Sequence, residues 1–189
     1  MLARLLEARG DAAVLEVVGP SPDREPRRRV VLAAALPAAG KADDLVEALA
    51  ELGVSLFLPL RTRRSGTDPR EVRERRAERW GRIVREAAKV NGRSRLLEVG
   101  EPADVGEIPR LSRPAGGTPV LLDTEPGLPP LAAAIQEAAS PWLLVGPEGG
   151  FDAAEIEALS AAGVPRASLG CCALRTELAA VVAAGIALS

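Results

Sequence analysis

Three apolar runs, each only as long as a strand, constrain this chain most: Val30 to Leu36 carries no polar side chain, Val54 to Leu58 only Ser55, and Trp142 to Val145 none. Strands of this kind are buried ones, as in a parallel sheet covered by helices. Between the first two, Lys41 to Leu52 sets Leu45, Val46, Leu49 and Leu52 at helical spacing, and Gly53 ends the pattern. The succession strand–helix–strand predicts an α/β fold with right-handed crossovers.

Further along, Asp68-Pro69 opens a long helix, the acid as N-cap and the proline in the first turn. Its apolar stripe runs Val72, Ala77, Trp80, Ile83, Val84, Ala87, and Asn91-Gly92 supplies the stop. Residues 100–118 are punctuated by Pro and Gly and read as loop with short elements; Pro119 to Asp123 reads as a strand and Pro130 to Ala138 as a short helix. A short strand ends at Leu169-Gly170, and Leu174 to Leu188 forms an Ala-rich final helix. Residues 1–29 hold the apolar stretch Val14 to Val18 around Glu16, the turn-rich Gly19-Pro20-Ser21-Pro22 and the basic Arg27-Arg28-Arg29. They leave room for two or three strands, not for a closed barrel.

Composition narrows the chemistry. The chain has no His and no Tyr, two Trp and two Phe. The usual general base, the commonest metal ligand and every Ser-His or Cys-His mechanism are therefore excluded, as are base-stacking platforms built from several aromatics. No metal is expected. Cys171 and Cys172 are adjacent, which excludes a disulfide framework and reads as two small buried apolar residues of a reducing compartment. The N-terminus carries no basic segment followed by an apolar run, and no stretch approaches ~18 uninterrupted apolar residues, so a soluble cytoplasmic protein with no membrane partner is expected. The formal net charge is -2, but residues 61–95 carry 13 basic and 5 acidic side chains, a local +8. Such a segment is either a surface for a polyanion or a solvated helix face crossed by Glu71, Glu74, Glu78 and Glu86.

The sharpest pattern follows the Trp142 strand. It runs straight into Gly146-Pro147-Glu148-Gly149-Gly150, and Asp152 and Glu155 then form a capping box for the next helix. A strand, a glycine turn and a capped helix present backbone N–H groups at the carboxyl edge of a sheet, where open α/β sheets bind ligands. No Gly-Lys-Ser/Thr follows, the glycine spacing is not that of the dinucleotide fingerprint, and Glu148 would repel a phosphate. Taken alone, the loop is either a structural turn or a site for a cationic or hydroxyl-bearing ligand.

Gly146-Pro147-Glu148-Gly149-Gly150-Phe151 with Glu155-Ile156, and Leu169-Gly170 followed by Leu174-Arg175-Thr176-Glu177 and Ala179, resemble the bacterial 16S ribosomal RNA uridine N3-methyltransferases of the SPOUT superfamily. Lys41, Glu47, Glu51-Leu52-Gly53-Val54, Pro59, Arg64-Ser65, Arg79-Trp80, Ile83, Glu86-Ala87-Ala88 and Arg93 extend the resemblance over about residues 30–189. The resemblance implies a SPOUT-type parallel sheet with helices on both faces, a deep C-terminal trefoil knot, a homodimer, and S-adenosyl-L-methionine as cofactor. Carried over by position, the cofactor cleft comprises Leu122 and Asp123, Gly146, Pro147, Glu148, Gly149 and Gly150, and Leu169, Gly170, Ala173, Leu174, Arg175 and Thr176. Arg175 would balance charge on the uracil oxygen, and Glu148 or Glu177 would receive the N3 proton if burial raises its pKa. Arg175 and Glu177 could instead pair with each other to hold the final helix. Arg61, Arg63, Arg64, Arg79, Arg82 and Arg93 would face RNA phosphates of 16S rRNA or the small ribosomal subunit.

The chain departs from the family in places. Residues 1–29 read as a short remnant of the PUA-like RNA-binding barrel, ahead of a methyltransferase domain over 30–189. Cys172 stands where the family has Arg, Leu178 where it has Thr, and Val90-Asn91 where it has Gln-Ser. The alternative function is a catalytically inactive knotted dimer that binds RNA or the ribosome.

Overall fold

The computed structural model describes residues 1–20, 25–37 and 40–189. Of the expected N-terminal turn, Ser21 and Pro22 lie outside the described residues. The chain opens with an antiparallel hairpin, β1 (Leu2–Arg9) and β2 (Ala12–Gly19), whose apolar side chains Leu5, Leu6, Leu15 and Val17 are all more than half exposed.

The body is a seven-stranded sheet whose strand pairings are all parallel. Its strands are β3 (Val31–Ala35), β4 (Leu56–Arg61), β5 (Glu98–Val99), β6 (Ala103–Asp104), β7 (Thr118–Leu122), β8 (Pro141–Val145) and β9 (Arg166–Ala167). The spatial order is β5-β4-β3-β8-β7-β9, with β6 pairing β4 further along the β5 edge. Because successive side chains leave a strand on opposite sides, Leu32, Ala34, Leu143 and Val145 face one core and Val31, Ala33, Trp142 and Leu144 the other. The first core is closed by α1 (Lys41–Leu52), α2 (Pro69–Asn91), α4 (Leu131–Ala134) and α6 (Thr176–Leu188). The second is closed by α3 (Ile108–Ser112) and α5 (Ala153–Ala161). Two covered faces explain why β3 and β8 carry no polar residue.

Most element boundaries agree with the sequence reading, the strand expected to end at Leu169-Gly170 ends at Ala167, and three others shift for local reasons. The strand expected from Val54 starts at Leu56, because the N–H groups of Gly53 and Val54 both donate to Leu49 O and finish the helix. The helix expected over Pro130–Ala138 keeps only Leu131–Ala134 as α-helix; beyond it Gln136 and Ala138 donate three residues back in tighter turns. The final helix starts at Thr176, since Arg175 is extended at φ -66° and ψ 154° and takes the N-cap position. In α2, Asp68 caps Arg70 N at 2.9 Å as expected, but Ala77 of the apolar stripe is exposed. No helix among the described residues is long and apolar enough to cross a membrane.

Candidate functional site

Strands β8, β7 and β9 are parallel neighbours, so their carboxyl ends lie together and the loops that leave them converge. Between these loops lies a cavity of about 250 Å³. Leu122, Asp123 and Thr124 border it from β7, Val145 and Gly146 to Phe151 from β8, and Leu169, Gly170 and Cys172 to Leu174 from the loop after β9; Thr176 and Ala179 of α6 close it.

Each loop is fixed by its own backbone and caps. Gly150 N donates to Pro147 O at 2.8 Å, making the tight turn that Gly150 completes at φ +67°. A Cβ on Gly146 would stand 3.1 Å from the Phe151 ring, so the bare backbone there lets that ring fold beneath the loop. The capping box forms as expected: Asp152 accepts from Ala154 N at 2.9 Å and Glu155 from Asp152 N at 2.8 Å. Thr176, buried at the head of α6, donates its hydroxyl to Gly146 O at 3.1 Å, which stitches the third loop to the second.

The expected cofactor residues are therefore brought together, with one exception. Leu122, Asp123, Gly146, Pro147, Glu148, Gly149, Gly150, Leu169, Gly170, Ala173, Leu174 and Thr176 all line the cavity, while Arg175 is an exposed neighbour of its wall. The sequence reading missed Thr124, Val145, Phe151, Cys172 and Ala179. Val145 and Phe151 flank the glycine loop, and Ala179 lies three residues after Thr176 on one helix face, so these were within reach of the pattern. Cys171 and Cys172 are both exposed, which corrects the expectation of a buried apolar pair.

The charged groups are arranged less as expected. Glu177 is claimed by Lys41 of α1, Nζ to Oε1 at 2.5 Å, while Arg175 stands 3.9 Å away. The Lys41 hydrogen bond outweighs burial and holds the Glu177 carboxyl below its ordinary range. This corrects the expectation that burial raises Glu177, and leaves Glu148, exposed on the cavity rim, as the carboxylate that no ion pair among the described residues engages. Asp123 is held by Arg166 of β9 at 2.6 Å, a partner that the parallel register brings beside it.

The basic segment divides. Arg64 donates to Gly149 O at 2.6 Å and Arg63 N to Glu155 Oε1 at 2.7 Å, so the loop after β4 is tied to the glycine loop. Arg61 grips Asp104 through two bonds of 2.5 Å. Arg76 and Arg79 reach the buried Asp43 at 2.8 and 2.6 Å, and Trp80 Nε1 donates to the same carboxylate at 2.8 Å. Burial pushes Asp43 up, but the bonds from Arg76 and Trp80 and the nearby charges hold it below the ordinary range. Arg93 corrects the expected RNA face: its side chain is only 7% exposed, bound to Glu25 at 2.7 Å and to Ala50 O at 2.8 Å. A guanidinium enclosed in that way has no face left for a phosphate. Arg82 is exposed and held by no ion pair among the described residues. No cluster of three or more metal-ligating side chains occurs among the described residues.

Comparison with known proteins bears on the family and the fold. The family described as RNA methyltransferase domain matches residues 23–188. A Synechocystis protein named ribosomal RNA small subunit methyltransferase E is 34% identical over 179 residues, 93% of this chain and 57% of its own length. A Mycobacterium tuberculosis protein of the same name is 33% identical over 165 residues, 84% of this chain and 62% of its own. The chain thus spans less than two thirds of these relatives. The solved structure of a ribosomal RNA small subunit methyltransferase E from Neisseria gonorrhoeae, bound to S-adenosyl methionine, superimposes with a TM-score of 0.82 at 25% identity, covering 96% of this chain and 75% of that one. A putative methyltransferase from Legionella pneumophila, also with the bound cofactor, gives 0.77 at 25% identity over 97% of this chain and 76% of that one.

Proposed function

The chain belongs to the RNA methyltransferase domain family, and from that membership we propose that it is an S-adenosyl-L-methionine-dependent methyltransferase acting on N3 of a uridine in 16S ribosomal RNA. The observation that carries the reading is the cavity at the carboxyl ends of β7, β8 and β9, enclosed by the two glycine-bearing loops. Its residues suit a nucleoside sulfonium. Leu122, Val145, Phe151 and Leu174 supply apolar wall for a purine, and positions Gly150 and Gly170 leave open space where a Cβ would stand. When bound, the cofactor supplies a methyl group on a positively charged sulfur.

The chain's own residues then have two tasks. One is to admit the base edge-on and neutralise the negative oxygen that appears when N3 loses its proton; Arg175, three-quarters exposed beside the cavity wall, is placed for that. The other is to receive the proton, and Glu148 is the carboxylate available on the rim, directly or through water. Lys41 holds Glu177 ionised at 2.5 Å. Arg175, at 3.9 Å from the same oxygen, keeps only the looser of the two contacts and most of its guanidinium in solvent, from where it would turn to the substrate.

The finer architecture follows the same reading. The segment after β9 leaves the sheet edge and passes the β7 and β8 loops before α6 packs beneath β3 and β8; we take this path as the trefoil knot and the exposed wall beside it as a homodimer face. The β1–β2 hairpin is read as the remnant of the PUA-like barrel. Arg64 and Arg82, with the paired but exposed Arg61, Arg63 and Arg79, form the phosphate-facing surface. The alternative of a non-catalytic RNA-binding dimer has no observation in its favour.

The test is transfer of label from methyl-labelled cofactor to small ribosomal subunits by the purified full chain, with the modified nucleoside identified by mass spectrometry. Labelled 3-methyluridine is expected. Absence of cofactor binding at millimolar concentration in calorimetry, or label on another atom, would overturn the activity or its position respectively.

A further inference from the structure

The loop that closes the cavity carries two consecutive exposed thiols whose Sγ atoms stand 3.8 Å apart. We propose that Cys171 and Cys172 form a capture site for trivalent organoarsenicals and like thiophilic electrophiles, and that a group held there excludes the cofactor from the cavity. The second half of this inference rests on the cofactor reading above; the first does not.

The spacing selects the ligand class. A disulfide has sulfurs about 2.05 Å apart and Cα atoms at least ~4.4 Å apart, whereas consecutive trans residues hold theirs at about 3.8 Å, so direct oxidation of this pair works against its backbone. One bridging atom suits the pair better. With bonds of about 2.3 Å, the usual zinc–thiolate length, an S–M–S angle of roughly 110° spans the observed separation. A bare tetrahedral ion would need two more protein ligands, and no cluster of three or more ligating side chains exists among the described residues. The ligand must therefore bring its remaining substituents, as an organoarsenical does: R–As=O plus two thiols gives R–As(S-Cys)2 plus water. Two As–S bonds replace the As=O bond, the two thiol protons leave in the water, and arsenic stays trivalent.

Placement supplies the consequence. Cys172 lines the cavity while Cys171 does not, so a bridging atom sits at the cavity mouth, and Leu174 and Phe151 of the same cavity offer apolar wall to its organic group. Gly170, at φ +128°, stands just before the pair, and both cysteines are exposed.

The probe is phenylarsine oxide with the full chain, read by intact mass under native conditions and by competition with 2-mercaptoethanol. One adduct formed with loss of one water is expected in the parent, and at least an approximately hundredfold weaker hold in Cys171→Ser or Cys172→Ser, because each removes the intramolecular second thiol. Single variants that hold the reagent as tightly as the parent would overturn the dithiol site. Calorimetry with S-adenosylhomocysteine then reads the cavity: the arsenical-treated parent should lose binding, and Cys171→Ser, whose side chain is outside the cavity, should keep it before and after treatment. Equal binding by treated and untreated parent would overturn the exclusion. Capture by a parent that binds no cofactor even untreated would overturn the proposed function and leave the dithiol site standing.

Discussion

The crevice at β7–β9 and the arginine-rich stretch 61–95 are both candidate sites, yet they are built in opposite ways. The crevice is shaped by backbone: a turn closed by Gly150, a capping box, and a threonine hydroxyl on Gly146 O. The stretch is shaped by side chains whose partners come from elsewhere, Asp43 from α1, Asp104 from β6 and Glu25 from the segment before β3. A site made of local backbone geometry survives changes in its surroundings. A run of charge acquires its role only when the fold decides which carboxylates meet it.

The largest effect that sharpens this contrast is on chemistry. Arg175→Ala removes a guanidinium that stands beside the cavity three-quarters exposed, and methyl transfer should fall about 10²–10³-fold with cofactor binding and melting temperature nearly unchanged. Single-turnover transfer and thermal unfolding measure the two. A large drop in melting temperature would instead mean that Arg175 holds α6 through Glu177. Next in size is Asp43→Ala, which strands Arg76, Arg79 and the buried Trp80 Nε1. Loss of roughly 3–4 kcal/mol in denaturant unfolding is expected, and a change below ~1 kcal/mol would show that the arginines on this side are as free as charge counting suggests.

These two variants also mark what the sequence could and could not disclose. The positions of β3, α1, α2, β8 and α5 were legible because apolar period, Asp68, Gly53 and the Asp152–Glu155 box act over a few residues. The convergence of Leu122, Gly146 and Gly170 on one cavity came through resemblance, since nothing local says that β9 pairs β7 rather than β8. The burial of Arg93 was illegible: its partner Glu25 lies 68 residues earlier, and both read as surface residues by type. Glu177 failed similarly, because Lys41 approaches it from 136 residues away. Exposure of the cysteine pair was missed because residue type favours burial.

The Glu25–Arg93 pair gives the arginine-rich stretch a pH signature. Burial raises the Glu25 carboxyl, but Arg93 and the N–H groups of Ser94 and Arg95 outweigh it and lower its pKa from 4.5 to about 2. A carboxylate depressed in the folded state stabilises fully above pH 4.5 and loses that contribution as pH falls toward 2. The contribution amounts to at most about 3 kcal/mol. Glu25→Gln should therefore be less stable than the parent at neutral pH and converge with it near pH 2 in chemical unfolding. A constant gap across that range would mean that packing, not ionisation, distinguishes the two.

The smallest effect separates a free arginine from a committed one. Arg82→Ala removes a solvated charge from α2 and should leave stability within ~0.5 kcal/mol. If Arg82 meets a phosphate, affinity for 16S ribosomal RNA falls a few-fold, and the slope of log affinity against log salt becomes shallower by about 0.7–0.9, the share of one contact. Arg93→Ala should do the reverse, lowering stability because the enclosed Glu25 loses the Arg93 guanidinium at 2.7 Å, with the slope unchanged wherever the protein remains folded. Equal slopes for parent and Arg82→Ala would move the RNA surface off α2 and onto the loop that Arg63 and Arg64 tie to the crevice. A shallower slope in Arg93→Ala would mean that its enclosed ion pair opens to meet the RNA, and the distinction between local backbone and distant carboxylate would no longer predict which groups contact it.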